Sequence, residues 1–240
     1  MSQLAKAFWD TTYKTPKPIV LPDDIGRAVS YANDFLGPLP GKQVLDIGCG
    51  DGATSLFLAR RGAIVTAIDY SAPAIENLQS AAEHEGLHGF RAVVGDVMQI
   101  DQLGQFDYVF GSLILHHLEP FHEFCGVLRR TLKKGGSAFF YENNASSDLL
   151  IWFRRNIVGR YGVPRYGDED EFPLMPSEID CLRQFFQVEV KIPEMVMAKL
   201  VSAYLLKRRF KKTADWIDAV LFASNIGTRH SYRQYVMLRG

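Results

Sequence analysis

Cysteine is scarce in this chain, and its three thiols, Cys49, Cys125 and Cys181, follow no pairing or metal-type spacing. A disulfide framework is therefore not expected, and a reducing compartment fits better. Long apolar runs are missing as well. No stretch reaches the ~18 residues of a membrane-spanning helix, and the opening MSQLAKAFWDTTYK lacks the unbroken apolar core of a secretion signal. A cytoplasmic location is expected. Charge of one sign is also absent, since 27 Lys and Arg balance 27 Asp and Glu. Without a net field, no nucleic-acid partner is expected, and any attraction to a charged surface must be local. There is no repeat and no low-complexity tract.

What is present is an ordinary globular balance, 47% hydrophobic and 22% charged over 240 residues, which suits a single α/β domain. Residues 1–40 read as an N-terminal helical cap. An amphipathic helix over 1–15 carries Phe8, Trp9 and Tyr13, and a Pro-rich connector leads to a helix over about 23–36. Gly37-Pro38 and Pro40-Gly41 then break the chain. Residues 41–145 form the core, alternating short apolar strands (43–47, 64–68, 91–94, 107–111, 137–141) with helices (54–61, 72–85, 120–132). Strands that are apolar throughout imply a parallel sheet covered on both faces. Residues 146–240 are expected to carry specificity-determining insertions, with an irregular stretch over 146–175, a helical stretch over 194–223, and two last strands near 188–192 and 232–239. The final strand, reached after a long excursion, can insert antiparallel.

The strongest local signal is Val44-Leu45-Asp46-Ile47-Gly48-Cys49-Gly50-Asp51-Gly52. Glycines after a buried strand let the backbone turn sharply and approach a ligand, and the next helix aims its N–H groups at the same place. Taken alone the pattern also satisfies a dinucleotide loop. Acids sharpen it. Asp69 ends the second strand 19 residues beyond Gly50, where a carboxylate can accept from ribose hydroxyls. Asp51 lies where a pyrophosphate would sit; it would repel a phosphate but tolerate a cationic sulfonium bearing an α-amino group. Asp46 suits the same positive ligand, and Asp96 ends the third strand, placed to accept from an exocyclic amine. Each acid could be a cap or turn residue by itself. Three at successive strand ends, on the edge where parallel sheets bind ligands, are harder to explain that way.

These residues resemble the class I S-adenosylmethionine-dependent methyltransferases. The resemblance rests on VLDIGCGDG at 44–52, AIDYS at 67–71, GDV at 95–97, FDYVFGSLILHHLEP at 106–120 and LRRTLKKGGSAFFYE at 128–142. It implies a Rossmann-like, doubly wound seven-stranded α/β sheet, mostly parallel with the last strand antiparallel, plus N-terminal helices and a helical and loop cap. It implies S-adenosyl-L-methionine as cofactor and S-adenosyl-L-homocysteine as product. Asp46, Gly48, Cys49 and Gly50 would line its methionine part, and Asp69 would hold the ribose with Tyr70 beside the adenosine. Asp96 and the Val97 amide would read the adenine, Ser112 would offer backbone to the amino-acid end, and Tyr13 would close over the cofactor.

Methyl transfer from a sulfonium needs alignment and a dry pocket, and a hydroxyl or amine acceptor must also lose a proton. His116 and His117 follow the fourth strand, and Glu142 ends the fifth. By resemblance to some sugar and natural-product methyltransferases, His116 oriented by Glu142 is the first choice of base and His117 the second. Positioning without a base stays open. His116, His117 and His122 fit no zinc signature, so no metal is expected. Cys49 fills a small-residue position rather than serving as a nucleophile.

The segment after Glu142 mixes Trp152, Phe153, Tyr161 and Tyr166 with Arg154, Arg155, Arg160 and Arg165, then turns acidic over 168–171. Long loops at this edge usually carry specificity. Residues 191–212 hold seven Lys and Arg against one acid, Glu194, interleaved with Met and Leu. Such a stretch over 195–212 can pack on its own domain, cover a hydrophobic acceptor, lie peripherally on an anionic membrane, or form a dimer surface. Monomer and homodimer both stay open. The leading expectation is methylation, at oxygen, of a small-molecule, sugar or lipid-linked acceptor. An RNA or protein methyltransferase is the second reading, and an NAD-binding oxidoreductase the third.

Overall fold

Apolar residues in the strand runs alternate between two cores. In the computed structural model, Leu45, Ile47, Val109 and Phe140 join one buried cluster with Phe124 and Leu128, while Val44, Phe110 and Phe139 join another with Ala28, Val29 and Ala32. Successive strand side chains point to opposite faces, so a sheet covered by helices on both sides must be apolar at nearly every position. All residues are described except 1, 2, 17, 161, 162, 164–171 and 208, and the side chains of 3–5 are also left aside. Tyr161, Arg165, Tyr166 and the acidic stretch 168–171 therefore lie outside the described residues.

The strands are β1 (Gln43–Ile47), β2 (Ile64–Asp69), β3 (Arg91–Val94), β4 (Phe106–Ser112), β5 (Leu132–Asn143), β6 (Gln187–Lys191) and β7 (Arg233–Arg239). They make one sheet in the order β3-β2-β1-β4-β5-β7-β6. Pairing is parallel from β3 through β5, and β7 runs antiparallel to both β5 and β6. The expected sheet is thus present, with the last strand inserted between its two predecessors. The helices are α1 (Gln3–Tyr13), α2 (Asp23–Leu36), α3 (Ala53–Ala59), α4 (Ala72–His84), α5 (Phe121–Thr131), α6 (Asp148–Asn156), α7 (Pro176–Arg183), α8 (Ala198–Tyr204) and α9 (Lys211–Ala223). Strand order reverses between β1 and β4, which opens a crevice at their carboxyl ends. No helix among the described residues is long and apolar enough to cross a membrane.

Three expectations are corrected. β5 begins at Leu132 and runs through Gly135-Gly136 instead of starting after them. The glycines sit where pairing with β4 shifts register between Phe106 and Tyr108. The stretch 146–175 is not wholly irregular, because Ser147 caps α6 by accepting from the Leu150 N–H at 3.3 Å. Finally, residues 194–223 are not one helix: α8 stops at Tyr204, and Phe210 adopts a left-handed φ of 58° before α9.

Candidate active site

The turn after β1 is built from backbone that a side chain would obstruct. Gly48 has φ 62° and Gly50 φ 54°, values that L residues seldom adopt. A Cβ on Gly48 would lie 2.6 Å from Ile114 Cδ1, and one on Gly50 would lie 2.6 Å from the Tyr13 hydroxyl. The loop is therefore pressed between the start of the β4–α5 connection and the end of α1.

Its acids are already tied into the backbone. Asp69 Oδ2 accepts from the Gly50 N–H and Oδ1 from the Ser71 N–H, each at 2.9 Å. Asp96 Oδ1 accepts from the Met98 N–H at 2.9 Å, and Oδ2 accepts from the Tyr70 hydroxyl at 3.1 Å. Asp51 Oδ1 accepts from the Ala53 N–H at the start of α3. Asp46 differs: 2% exposed, it accepts from the Ser55 hydroxyl at 2.5 Å. Burial pushes its carboxyl up to about 7, against the Ser55 hydrogen bond and with help from Asp69 and Asp51. Burial also raises Asp69, and it holds the Cys49 thiol well above its ordinary value, so Cys49 has no thiolate character at neutral pH.

A cavity of about 260 Å³ opens at this edge, bordered by Asp46, Gly50, Asp69, Ser112, Tyr13 and His117 among others. A smaller recess, about 30 Å³, continues past Gly48 and Asp69 toward Tyr70, Asp96 and Val97. Gly48, Asp69, Ile114 and His117 border both, so the two form one cleft. All the residues singled out in the glycine loop and at the ends of β2 and β4 line it. Tyr13 stacks on Trp9, rings 5.9 Å apart, and burial beside Asp69 and Asp51 raises its phenol far above the usual range.

The two histidine rings lie 4.2 Å apart but have different surroundings. His116 Nδ1 lies 2.7 Å from Glu142 Oε2, and the pair is closed off from solvent, with side chains 1% and 0% exposed. Glu142 Oε1 accepts from the Ile114 and Leu115 N–H groups at 2.8 and 2.7 Å. The carboxylate thus fastens the 3₁₀ turn Leu115–His117. His117, one residue on, borders the cleft. Sequence reasoning missed Trp9, Pro22, Ile25, Leu113 and Ile114, which also border it. Leu113 has a left-handed φ of 55° and donates its N–H to Tyr141 O at 2.8 Å. A leucine in that conformation carries no sequence signal, and strain of this kind gathers at functional sites.

Residues 44–136 match the family described as Methyltransferase domain. A ubiquinone biosynthesis O-methyltransferase of Glaesserella parasuis serovar 5 (strain SH0165) is 32% identical over 81% of this chain and 83% of its own length. One from Pseudomonas aeruginosa (strain LESB58) is 34% identical over 78% and 80%. The chain is a class I S-adenosylmethionine-dependent methyltransferase. Membership overturns the NAD-binding alternative. Among solved structures, the N-methyltransferase NodS of Bradyrhizobium japonicum WM9 in complex with S-adenosyl-L-homocysteine aligns over 98% of each chain with a TM-score of 0.61 at 15% identity. The [4+2]-cyclase SpnF aligns over 99% of this methyltransferase and 94% of its own chain with a TM-score of 0.63, also at 15% identity. These two share the fold, which by itself fixes no chemistry.

The methyltransferase cleft suits its cofactor on structural grounds. The Ser112 Oγ is buried at the cleft with no hydrogen-bond partner among the described residues, Gly50 leaves room that a side chain would fill, and Asp46 offers a buried carboxylate to a positive group. Among the described residues, no group of three His, Cys, Asp or Glu is arranged to hold a metal ion.

Proposed function

We propose that this methyltransferase methylates an oxygen of a small-molecule or lipid-linked acceptor, with His117 taking the acceptor's proton. The observation that carries the reading is His117 on the wall of a cleft whose other parts are Asp46, Gly50 and Ser112. The names of the relatives, ubiquinone biosynthesis O-methyltransferase, support oxygen as the methylated atom.

S-adenosylmethionine, when bound, supplies a methyl group on a sulfonium, an excellent leaving group. In this reading the protein's own groups do the rest. Asp46 and Ser112 receive the charged amino-acid end, with the Asp46 carboxylate kept ionised by the incoming positive charge. Gly48, Cys49 and Gly50 line that end with backbone. Asp69 accepts from the ribose through lone pairs left over after Gly50 and Ser71, while Tyr70, Asp96 and Val97 enclose the base in the smaller recess. Tyr13 covers the top. Trp9, Pro22, Ile25 and Leu113 give the acceptor an apolar wall that excludes water.

As the acceptor oxygen attacks, its proton passes to the His117 imidazole. His116 and Glu142 act as the brace that orients the turn, so the base moves from the first histidine, which the resemblance favoured, to the second. The test is turnover across phenols, sugars, carboxylates and amines, with His117→Ala measured beside the parent. The reading expects an oxygen acceptor and a loss of about 100-fold or more in kcat. An amine preference, or an unimpaired His117→Ala enzyme, overturns it.

A further inference from the structure

Between β6 and β7 the chain folds into a helical hairpin. Asp218, in the second half of α9 and buried, accepts from the backbone N–H groups of Met197, Ala198 and Lys199 at 3.0, 2.8 and 2.9 Å. That contact joins the second half of α9 to the start of α8, so the two helices run antiparallel, and residues 205–207, 209 and 210 lie at the tip. The tip is fastened from inside, where the Ser202 hydroxyl donates to the Arg209 carbonyl at 2.5 Å.

What the tip presents is unusual for a surface that faces only water. Leu205 is 52% exposed, Leu206 43% and Phe210 69%, and the exposed cations Lys207, Arg209, Lys211 and Lys212 surround them. Behind the tip, α9 keeps Trp216 65% exposed, about 9 Å of helix axis from Phe210. Asp215 and Asp218 are the only carboxylates between 195 and 230. Asp218 is spent on the α8 backbone, and Asp215 lies 3.8 Å from Lys199, so the tip's own charge is positive although the whole chain is neutral.

We propose that this tip docks the enzyme on an anionic phospholipid bilayer. Leu205, Leu206 and Phe210 enter the headgroup boundary, and the four cations meet lipid phosphates. Trp216 is close enough to follow at the interface, where amphipathic rings are favoured. A second copy of the chain fits this surface poorly, because two-fold pairing of the tip would bring both cationic rings together. The proposal does not depend on the acceptor, since a water-soluble acceptor would leave the tip's chemistry unchanged.

The full chain is sedimented with vesicles of phosphatidylcholine alone or mixed with phosphatidylglycerol. The expected result is pelleting with the anionic vesicles that weakens with added salt. Leu205→Ser/Leu206→Ser/Phe210→Ser should lower partitioning about tenfold or more. Lys207→Gln/Lys211→Gln/Lys212→Gln should lower it about fivefold per cation and flatten the salt dependence. Thermal shift with S-adenosylhomocysteine reports that each variant is folded, as its substitutions are on exposed side chains. A parent that stays in the supernatant with anionic vesicles, or an apolar-tip variant that pellets like the parent, overturns the proposal. So does an apolar-tip variant whose main effect is to convert a dimer to a monomer in analytical ultracentrifugation.

Discussion

Glu142 and His116 lie 2.7 Å apart with neither side chain open to solvent, and the second oxygen of the same carboxylate holds two backbone N–H groups of the next turn. A buried carboxylate with three donors is a fixed point, and removing it leaves those donors unsatisfied. Glu142→Ala is expected to lower stability by about 3–5 kcal/mol, measured by urea denaturation. Glu142→Gln keeps the shape and should fall between that and the parent. If Glu142→Ala unfolds at the parental midpoint, the turn is held by something else.

The two histidines should separate cleanly by mutation. His117→Ala is expected to retain the parental melting temperature within a few degrees and bind S-adenosylhomocysteine normally, yet lose about 100-fold or more in kcat. His116→Ala should behave in the opposite sense, costing stability before chemistry, because its ring is enclosed with Glu142. Circular dichroism melts beside initial rates decide the matter, and a His116→Ala enzyme that is stable but inactive would return the base to His116.

Gly48→Ala is expected to abolish S-adenosylhomocysteine binding by calorimetry. The new methyl would meet Ile114 at 2.6 Å and require a left-handed alanine at φ 62°. Gly86 has a similar φ of 65° but open space around it, so Gly86→Ala should cost only the conformational strain and leave binding intact.

Asp46 gives a pH dependence with a defined sign. Its carboxyl is raised to about 7 in the folded chain, from an ordinary 3.8, so the native state holds that proton more tightly than the unfolded one. This group's contribution to stability is largest below about pH 4, falls as pH rises to 7, and is then constant, roughly 4 kcal/mol lower. An ammonium group placed beside Asp46 favours the ionised form, so affinity for S-adenosylhomocysteine, whose amino-acid end carries one, should strengthen between pH 6 and 8. In Asp46→Asn both slopes should vanish, with weaker binding and a higher melting temperature at pH 8. A parental affinity that is flat over that interval would contradict the assignment of Asp46 to the ligand's amino-acid end.

The sequence by itself determined the alternation of buried strands and helices, the glycine turn at 48–52 and the carboxylates at the ends of β1, β2 and β3. Each is a local pattern of burial period or backbone freedom, and each is written in consecutive residues. Where contacts came from distant parts of the chain, the tertiary structure decided. Adjacent His116 and His117 are chemically alike, and their rings lie only 4.2 Å apart. Only Glu142, brought alongside by the β4–β5 pairing, selects which is enclosed and which meets the cleft. Likewise, the basic stretch after 195 reads as one helix until Asp218 returns to cap α8 and Phe210 takes a left-handed turn, because helix propensity is set locally and the break is imposed by packing.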